Sequence, residues 1–237
     1  MKPHLLLLPG LLCDQASWGS VPTELADIAQ IQVADYGMAD SLTAMAQGVL
    51  QNAPERFSMA GHSMGGRVAF EILRLAPQRV EKVAILDSGH LPRPSGEAGQ
   101  AESAKRHALL ALARSQGMRA MAAAWSASMV EQSRLQDTDL MESIWQMVER
   151  KNPDIFAAQI NALLNRPDAS AQLRSLTHPL LLICGRHDTH SPVSQHEAMQ
   201  ALAPASALSV IEECGHMAQM EAPQAMVALL RQCLLAQ

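Results

Sequence analysis

Residues 56–75 read RFSMAGHSMGGRVAFEILRL. Arg56–Ala60 is a short, largely apolar run suited to a buried strand. Met64–Leu75 carries Val68, Ile72 and Leu75 at the spacing of one helix face, and Pro77 stops the pattern because it lacks a donor and crowds the preceding turn. Between the two lies Gly61-His62-Ser63-Met64-Gly65, a G-x-S-x-G pattern on a strand-to-helix turn. A serine on so sharp a bend sits in a strained backbone, and only small flanking residues let the strand and helix come close enough to form it. A glycine-rich turn without chemistry is the plainer alternative. The strand before it and the helix after it argue for the functional reading.

The alternation continues in both directions. His4–Leu8, Ile31–Ala34, Lys82–Leu86, Pro179–Cys184 and Ala207–Ile211 bring the count of short strands to six. Ser41 is placed to cap a helix running to about Asn52, Pro192 to open another, and Glu221–Leu235 to close the chain. Strands alternating with helices imply an α/β fold: a doubly wound, mainly parallel sheet with helices on both faces. Leu180–Ile183 and Val83–Leu86 have the continuous apolar character of strands buried on both sides. One region departs from this rhythm. Leu91–Gly99 (LPRPSGEAG) reads as a linker, and from Ala101 to about Leu164 the pattern is helical. The expected division is therefore a core of residues 1–92 and 166–237 with an inserted helical lid over 93–165.

Composition sets the outer bounds. The 237 residues are 48% hydrophobic and 17% charged, enough for one domain with a substantial core and far from a disordered composition. Eighteen basic residues against 23 acidic ones, with no basic run, argue against nucleic acid or an anionic membrane as partner. No apolar run approaches the ~20 residues of a membrane span. Leu5–Leu8, broken by Pro9-Gly10, reads as a buried strand rather than a signal segment, so the expected location is cytoplasmic. Cys13, Cys184, Cys214 and Cys233 are scattered, as reduced thiols are.

A serine hydroxyl needs a base to take its proton. Among nine histidines, His216 follows the last strand in Cys214-Gly215-His216-Met217, on a loop leaving the same sheet edge as the nucleophile turn. His90 also follows a strand and is the rival; His62 adjoins Ser63, where a neighbouring side chain on a sharp turn points elsewhere. The base needs a carboxylate to orient it. Asp188, after the penultimate strand, is the candidate, with Asp87 as the alternative. An oxyanion would be held by the backbone N–H of Met64 and by a second N–H from the loop after the first strand, at Leu11 or the adjacent Leu12. Arg67, Arg106 and Arg119 could hold a substrate carboxylate, although lone arginines are usually solvated. Met118, Met121, Met129, Met141 and Met147 suit helix packing better than a pocket lining, and Trp18 suits a core anchor. No acidic or histidine cluster has metal-ligand spacing, and neither a metal nor a cofactor is expected.

The segments LLPGLLCDQASW, GHSMGG, LLICGRHDTHSP and EECGHMAQMEAP, taken in order, resemble the α/β-hydrolase superfamily over essentially the whole chain. Such proteins usually have His-Gly where Pro9-Gly10 stands here, and two further strands before the first of this chain. The resemblance thus implies a trimmed sheet of about six strands. Ser63 disfavours the aspartate-nucleophile members, the haloalkane dehalogenases and epoxide hydrolases. The likeness is to small carboxylesterases, enol-lactonases and the lyase of menaquinone biosynthesis. It implies cleavage of a small-molecule carboxylic ester or lactone through an acyl-enzyme, with Ser63, Asp188 and His216 as the triad. The same triad also serves lyases, C–C hydrolases and acyltransferases, and the fold serves ligand receptors with little turnover.

Overall fold

Parallel strands can be joined only by crossovers, so each strand end at one rim of such a sheet opens into a loop at that rim. The computed structural model describes residues 2–236. Its strands are β1 (His4–Leu8), β2 (Gln30–Val33), β3 (Phe57–His62), β4 (Val80–Leu86), β5 (Leu180–Gly185) and β6 (Ala207–Ile211). They form one sheet in the order β2-β1-β3-β4-β5-β6, with every neighbouring pair parallel. The chain winds one way from β1 to β2, then crosses β1 and continues in the other direction. That reversal opens a crevice beyond the carboxyl ends of β1 and β3, where ligands bind in open parallel sheets.

The helices are α1 (Val21–Glu24), α2 (Leu42–Asn52), α3 (Met64–Leu75), α4 (Gly96–Gln116), α5 (Met118–Ser126), α6 (Thr138–Glu149), α7 (Pro153–Leu164), α8 (Ser170–Arg174), α9 (Val193–Leu202), α10 (Ala218–Glu221) and α11 (Pro223–Leu235). Alternation along the strands splits the core in two. Leu6, Leu8, Met59, Ile85 and Leu182 face α2, α3 and the helices of residues 96–164. Leu5, Leu7, Ala60, Leu86 and Ile183 face Trp18, Val21, Leu25 and the Met226 and Leu230 of α11. Leu7 and Leu8 are both 0% exposed, and each buried leucine contributes roughly 1.5–3 kcal/mol of transfer free energy.

Three details differ from expectation. The terminal helix starts at Pro223, not Glu221; Ala222 leaves the helical region (φ −136, ψ 62) because the residue before a proline avoids it. This turns Glu221 inward instead of onto a helix surface. Within Leu91–Gly99 only the first part is irregular, since α4 already begins at Gly96 after Ser95. Pro192 is the residue just before α9 and not part of its first turn. Ser41 does cap α2, its side chain accepting the N–H of Ala44. Among the described residues, no helix is long and apolar enough to cross a membrane.

Candidate active site

The Ser63 turn is built by close packing. A Cβ on Gly61 would lie 2.5 Å from the carbonyl oxygen of Gly65, and one on Gly65 would lie 1.9 Å from that of Leu8. Both positions therefore require glycine if β1, β3 and α3 are to meet. Ser63 sits at φ 52, ψ −113, a conformation that persists in a non-glycine residue only when its surroundings impose it. They do: the Ser63 N–H donates to Leu86 O at 2.8 Å, and Ser88 Oγ donates to Ser63 O at 2.7 Å.

Ser63 Oγ lies 2.8 Å from His216 Nε2, and His216 Nδ1 lies 2.8 Å from Asp188 Oδ2. Burial alone would raise the Asp188 carboxyl. The His216 charge and hydrogen bond, with the N–H groups of Ser191 and His190, outweigh it and hold the carboxyl below the usual range. An ionised carboxylate only accepts, so Nδ1 of His216 carries the proton. In the neutral ring this leaves Nε2 as acceptor for the Ser63 hydroxyl.

The histidine loop is fastened from three sides. The His216 N–H donates to Met129 O at 2.8 Å. Glu221 accepts the N–H groups of Gly215 at 3.0 Å, Met217 at 3.2 Å and Glu131 at 2.8 Å. One carboxylate thus ties both neighbours of His216 to the segment that follows α5. His62 Nε2 donates to His216 O at 2.8 Å, so the residue beside the serine braces the histidine backbone and does not point away from it. Burial, then the nearby His216, takes the His62 pKa to about 3, and the ring stays neutral. His190, its ring centroid 5.1 Å from that of His216, is taken to about 4 by burial and the same neighbour.

The rivals are engaged in other contacts. The carbonyl of His90 receives the Ala169 N–H, and its charged neighbours are Asp168, Arg67 and Arg174. Asp87, fully buried at the end of β4, accepts the Gly185 N–H at 2.8 Å and secures β5. Burial, then the neighbouring Asp188 charge, raises its pKa well above the ordinary value. At the first-strand loop, the Leu12 N–H is already used, donating to Gln159 Oε1 at 2.8 Å. Among the described residues, neither Leu11 nor Met64 donates its N–H to a protein acceptor.

A cavity of about 550 Å³ opens over Ser63, within the range of small-molecule sites. Leu11, Met64, His190 and His216 line it with Ser63, and residues 94–129 and Leu163 of the helical layer roof it. Of the five methionines in that layer, Met129 alone reaches the cavity lining; the other four are buried in packing. Arg67 and Arg106 reach the cavity, while Arg119 pairs outside it with Glu142 and Glu149. Trp18 is wholly buried against the opposite face. No group of three or more His, Cys, Asp or Glu is gathered as a metal set among the described residues.

Sequence reading missed Gln159 and Glu221. Gln159 carries a signal: Phe156, Gln159, Ile160 and Leu163 share one face of α7, and a polar residue in an apolar stripe has a buried partner to find. Glu221 carries none, since in sequence it passes for an ordinary helix start.

A family model described as alpha/beta hydrolase fold matches residues 8–223. The chain is 26% identical over 240 residues to a pimeloyl-[acyl-carrier protein] methyl ester esterase of Nitrosomonas europaea, covering 95% of this chain and 93% of that protein. Among solved structures, a thermophilic esterase from Thermogutta terrifontis superposes with a TM-score of 0.85 at 26% identity, over 98% of this chain and 89% of that one. The enol-lactonase from Burkholderia xenovorans shares the fold, with a TM-score of 0.83 at 18% identity over 100% of this chain and 92% of that one.

Proposed function

The chain belongs to the α/β-hydrolase fold family, and from that premise we propose that it is a serine esterase acting on small carboxylic esters or lactones through an acyl-enzyme. The observation that carries this reading is the continuous relay from Ser63 Oγ to His216 Nε2, and from His216 Nδ1 to Asp188 Oδ2, each link 2.8 Å. Ser63 attacks the carbonyl carbon as its proton passes to His216. The negative charge that develops on the carbonyl oxygen falls to the N–H groups of Met64 and Leu11, because Leu12 is engaged with Gln159. The imidazolium, stabilised by Asp188, protonates the leaving alcohol. Water then repeats the sequence on the acyl-enzyme and frees the acid.

Residues 93–165 act in this reading as a lid whose underside sets what enters, over a core of 1–92 and 166–237. Esterase relatives, one named for a methyl ester, make methyl esters the natural first panel. Ser63→Ala is expected to lower p-nitrophenyl and methyl ester turnover by on the order of 10⁴-fold or more, with the thermal midpoint nearly unchanged. Retained turnover in the purified variant removes Ser63 from the chemistry.

A further inference from the structure

The cavity lining has a charge of its own. Among the described residues, Arg67, Lys105, Arg106 and Arg166 line it with Glu102 as the one carboxylate, four cations to one anion. The chain as a whole carries −5. A net positive patch in a cavity of an acidic protein, contiguous with the proposed nucleophile, calls for an anion from outside.

The hydrogen bonds show which cations are satisfied. Glu102 accepts both Nη atoms of Arg166, at 2.7 and 2.8 Å, and also Arg106 Nε at 3.0 Å and Nη2 at 2.9 Å. Burial would raise the Glu102 carboxyl, but Arg166 and Arg106 outweigh it and bring it to about 2. That single carboxylate is fully used. Arg166, its side chain 8% exposed, still has a buried Nε with no partner. Arg67 has no carboxylate among the described residues; Nη1 donates to Leu91 O at 2.9 Å. Burial, then the like charges of Arg166 and Arg106, pull its pKa below that of a free guanidinium. A guanidinium nevertheless keeps its proton at neutral pH.

Position adds to charge. Arg67 follows Ser63 by four residues at the start of α3, and its N–H donates to Ser63 O at 3.4 Å. The guanidinium-bearing Arg67 and Ser63 line one cavity, at the start of one helix.

We propose that this basic wall is a carboxylate subsite: the substrate is an ester that carries a second, free carboxylate, held by the fork of Arg67 with support from Arg106 and Arg166. This rests on the esterase reading for the reacting end, and extends it to the other end of the substrate. The planar, paired donors of a guanidinium match a carboxylate in a way that a point charge does not.

Two measurements test it. In steady-state kinetics, a free-carboxylate ester is compared with its neutral partner: monomethyl against dimethyl adipate for an acyl-borne anion, and O-acetyl-4-hydroxybutyrate against its methyl ester for an alcohol-borne one. The charged member of at least one pair is expected to show a kcat/KM about tenfold or more higher. Arg67→Met should bring that ratio toward one, Arg67→Lys should leave it intermediate, and Arg119→Gln, outside the cavity, should leave it unaltered. Equal or inverted ratios in the wild type, with neutral esters turned over, overturn the subsite and spare the esterase. Calorimetric titration of the Ser63→Ala protein with adipate is independent of turnover. Binding lost in a folded Arg67→Met, Ser63→Ala protein supports the subsite even if no ester is cleaved. Absence of binding to the parent, or inorganic phosphate binding as tightly as adipate, contradicts it.

Discussion

The rim of the sheet and the helical layer above it are built by different means. At the rim, the parallel sheet sets the positions, and a few buried side chains such as Glu221, His62 and Ser88 fasten the loops. Ser63, Asp188 and His216 stand on loops that follow β3, β5 and β6, and the parallel sheet delivers all three loops to one edge. The layer from Gly96 to Leu164 is held by side chains: buried methionines, Trp125 and Phe156 fill it, and a few polar contacts join it to the rim. Gln159 reaches down to Leu12, and Met129 and Glu131 reach the His216 loop. The difference teaches that the proposed triad and the cavity roof are specified largely by different parts of the chain, joined at a few hydrogen bonds.

The largest test of that division is at the rim. Asp188→Asn keeps the shape but loses the acceptor that fixes the His216 tautomer, and kcat is expected to fall by on the order of 10⁴-fold. Asp87→Asn alters a carboxyl that stands outside the relay and bonds the Gly185 N–H, and a loss of a few-fold at most is expected in the same assay. Comparable losses in the two variants would erase the distinction between the two aspartates.

A smaller effect is expected where layer and rim touch. Gln159→Leu leaves the buried Leu12 N–H without its acceptor, which costs about 1–3 kcal/mol of stability, read by denaturant melts. Activity should fall in parallel, because Leu12 holds the loop that offers the Leu11 N–H. An unchanged melt would mean that layer and rim are not coupled at this point.

How much of this could be read in the sequence follows the same line. The strands were legible because most are short apolar runs, with β2 (QIQV) alternating instead, and no strand end moved by more than two residues between reading and structure. G-x-S-x-G was legible because steric demand fixes glycine at Gly61 and Gly65. Asp188 and Asp87 could not be separated on pattern alone, as both follow strands at the same edge; the His216 ring that lowers the pKa of one and the burial that raises that of the other are tertiary facts. The roof was readable as helices but not as contacts. Glu221 looked like the start of a surface helix, and Arg166, which shares Glu102 with Arg106, had no mark in sequence at all.

The gentlest test is pH. His62, His190 and His196 are held at about 3, 4 and 4, chiefly by burial, against 6.5 for a free histidine. Below pH 6.5 the unfolded chain takes up protons at these sites that the folded one refuses. Their contribution is therefore complete above that pH, and is lost progressively as pH falls toward 4. Asp188 and Glu102, with lowered pKa values, add to the loss at the acid end, while Glu221 and Asp87, with raised ones, oppose it. The thermal midpoint should hold between pH 7.5 and pH 6.5 and decline from there to pH 4.5. A flat profile would show that these rings are not buried neutral.

The proposed nucleophile can be addressed without knowing the substrate. Treatment of the folded protein with a fluorophosphonate, followed by peptide mapping, should give one adduct, on Ser63, formed far more slowly in the Asp188→Asn variant and not at all after heat unfolding. Folded protein that stays unlabelled at Ser63, or carries the adduct on another serine, would contradict the relay as the source of its chemistry.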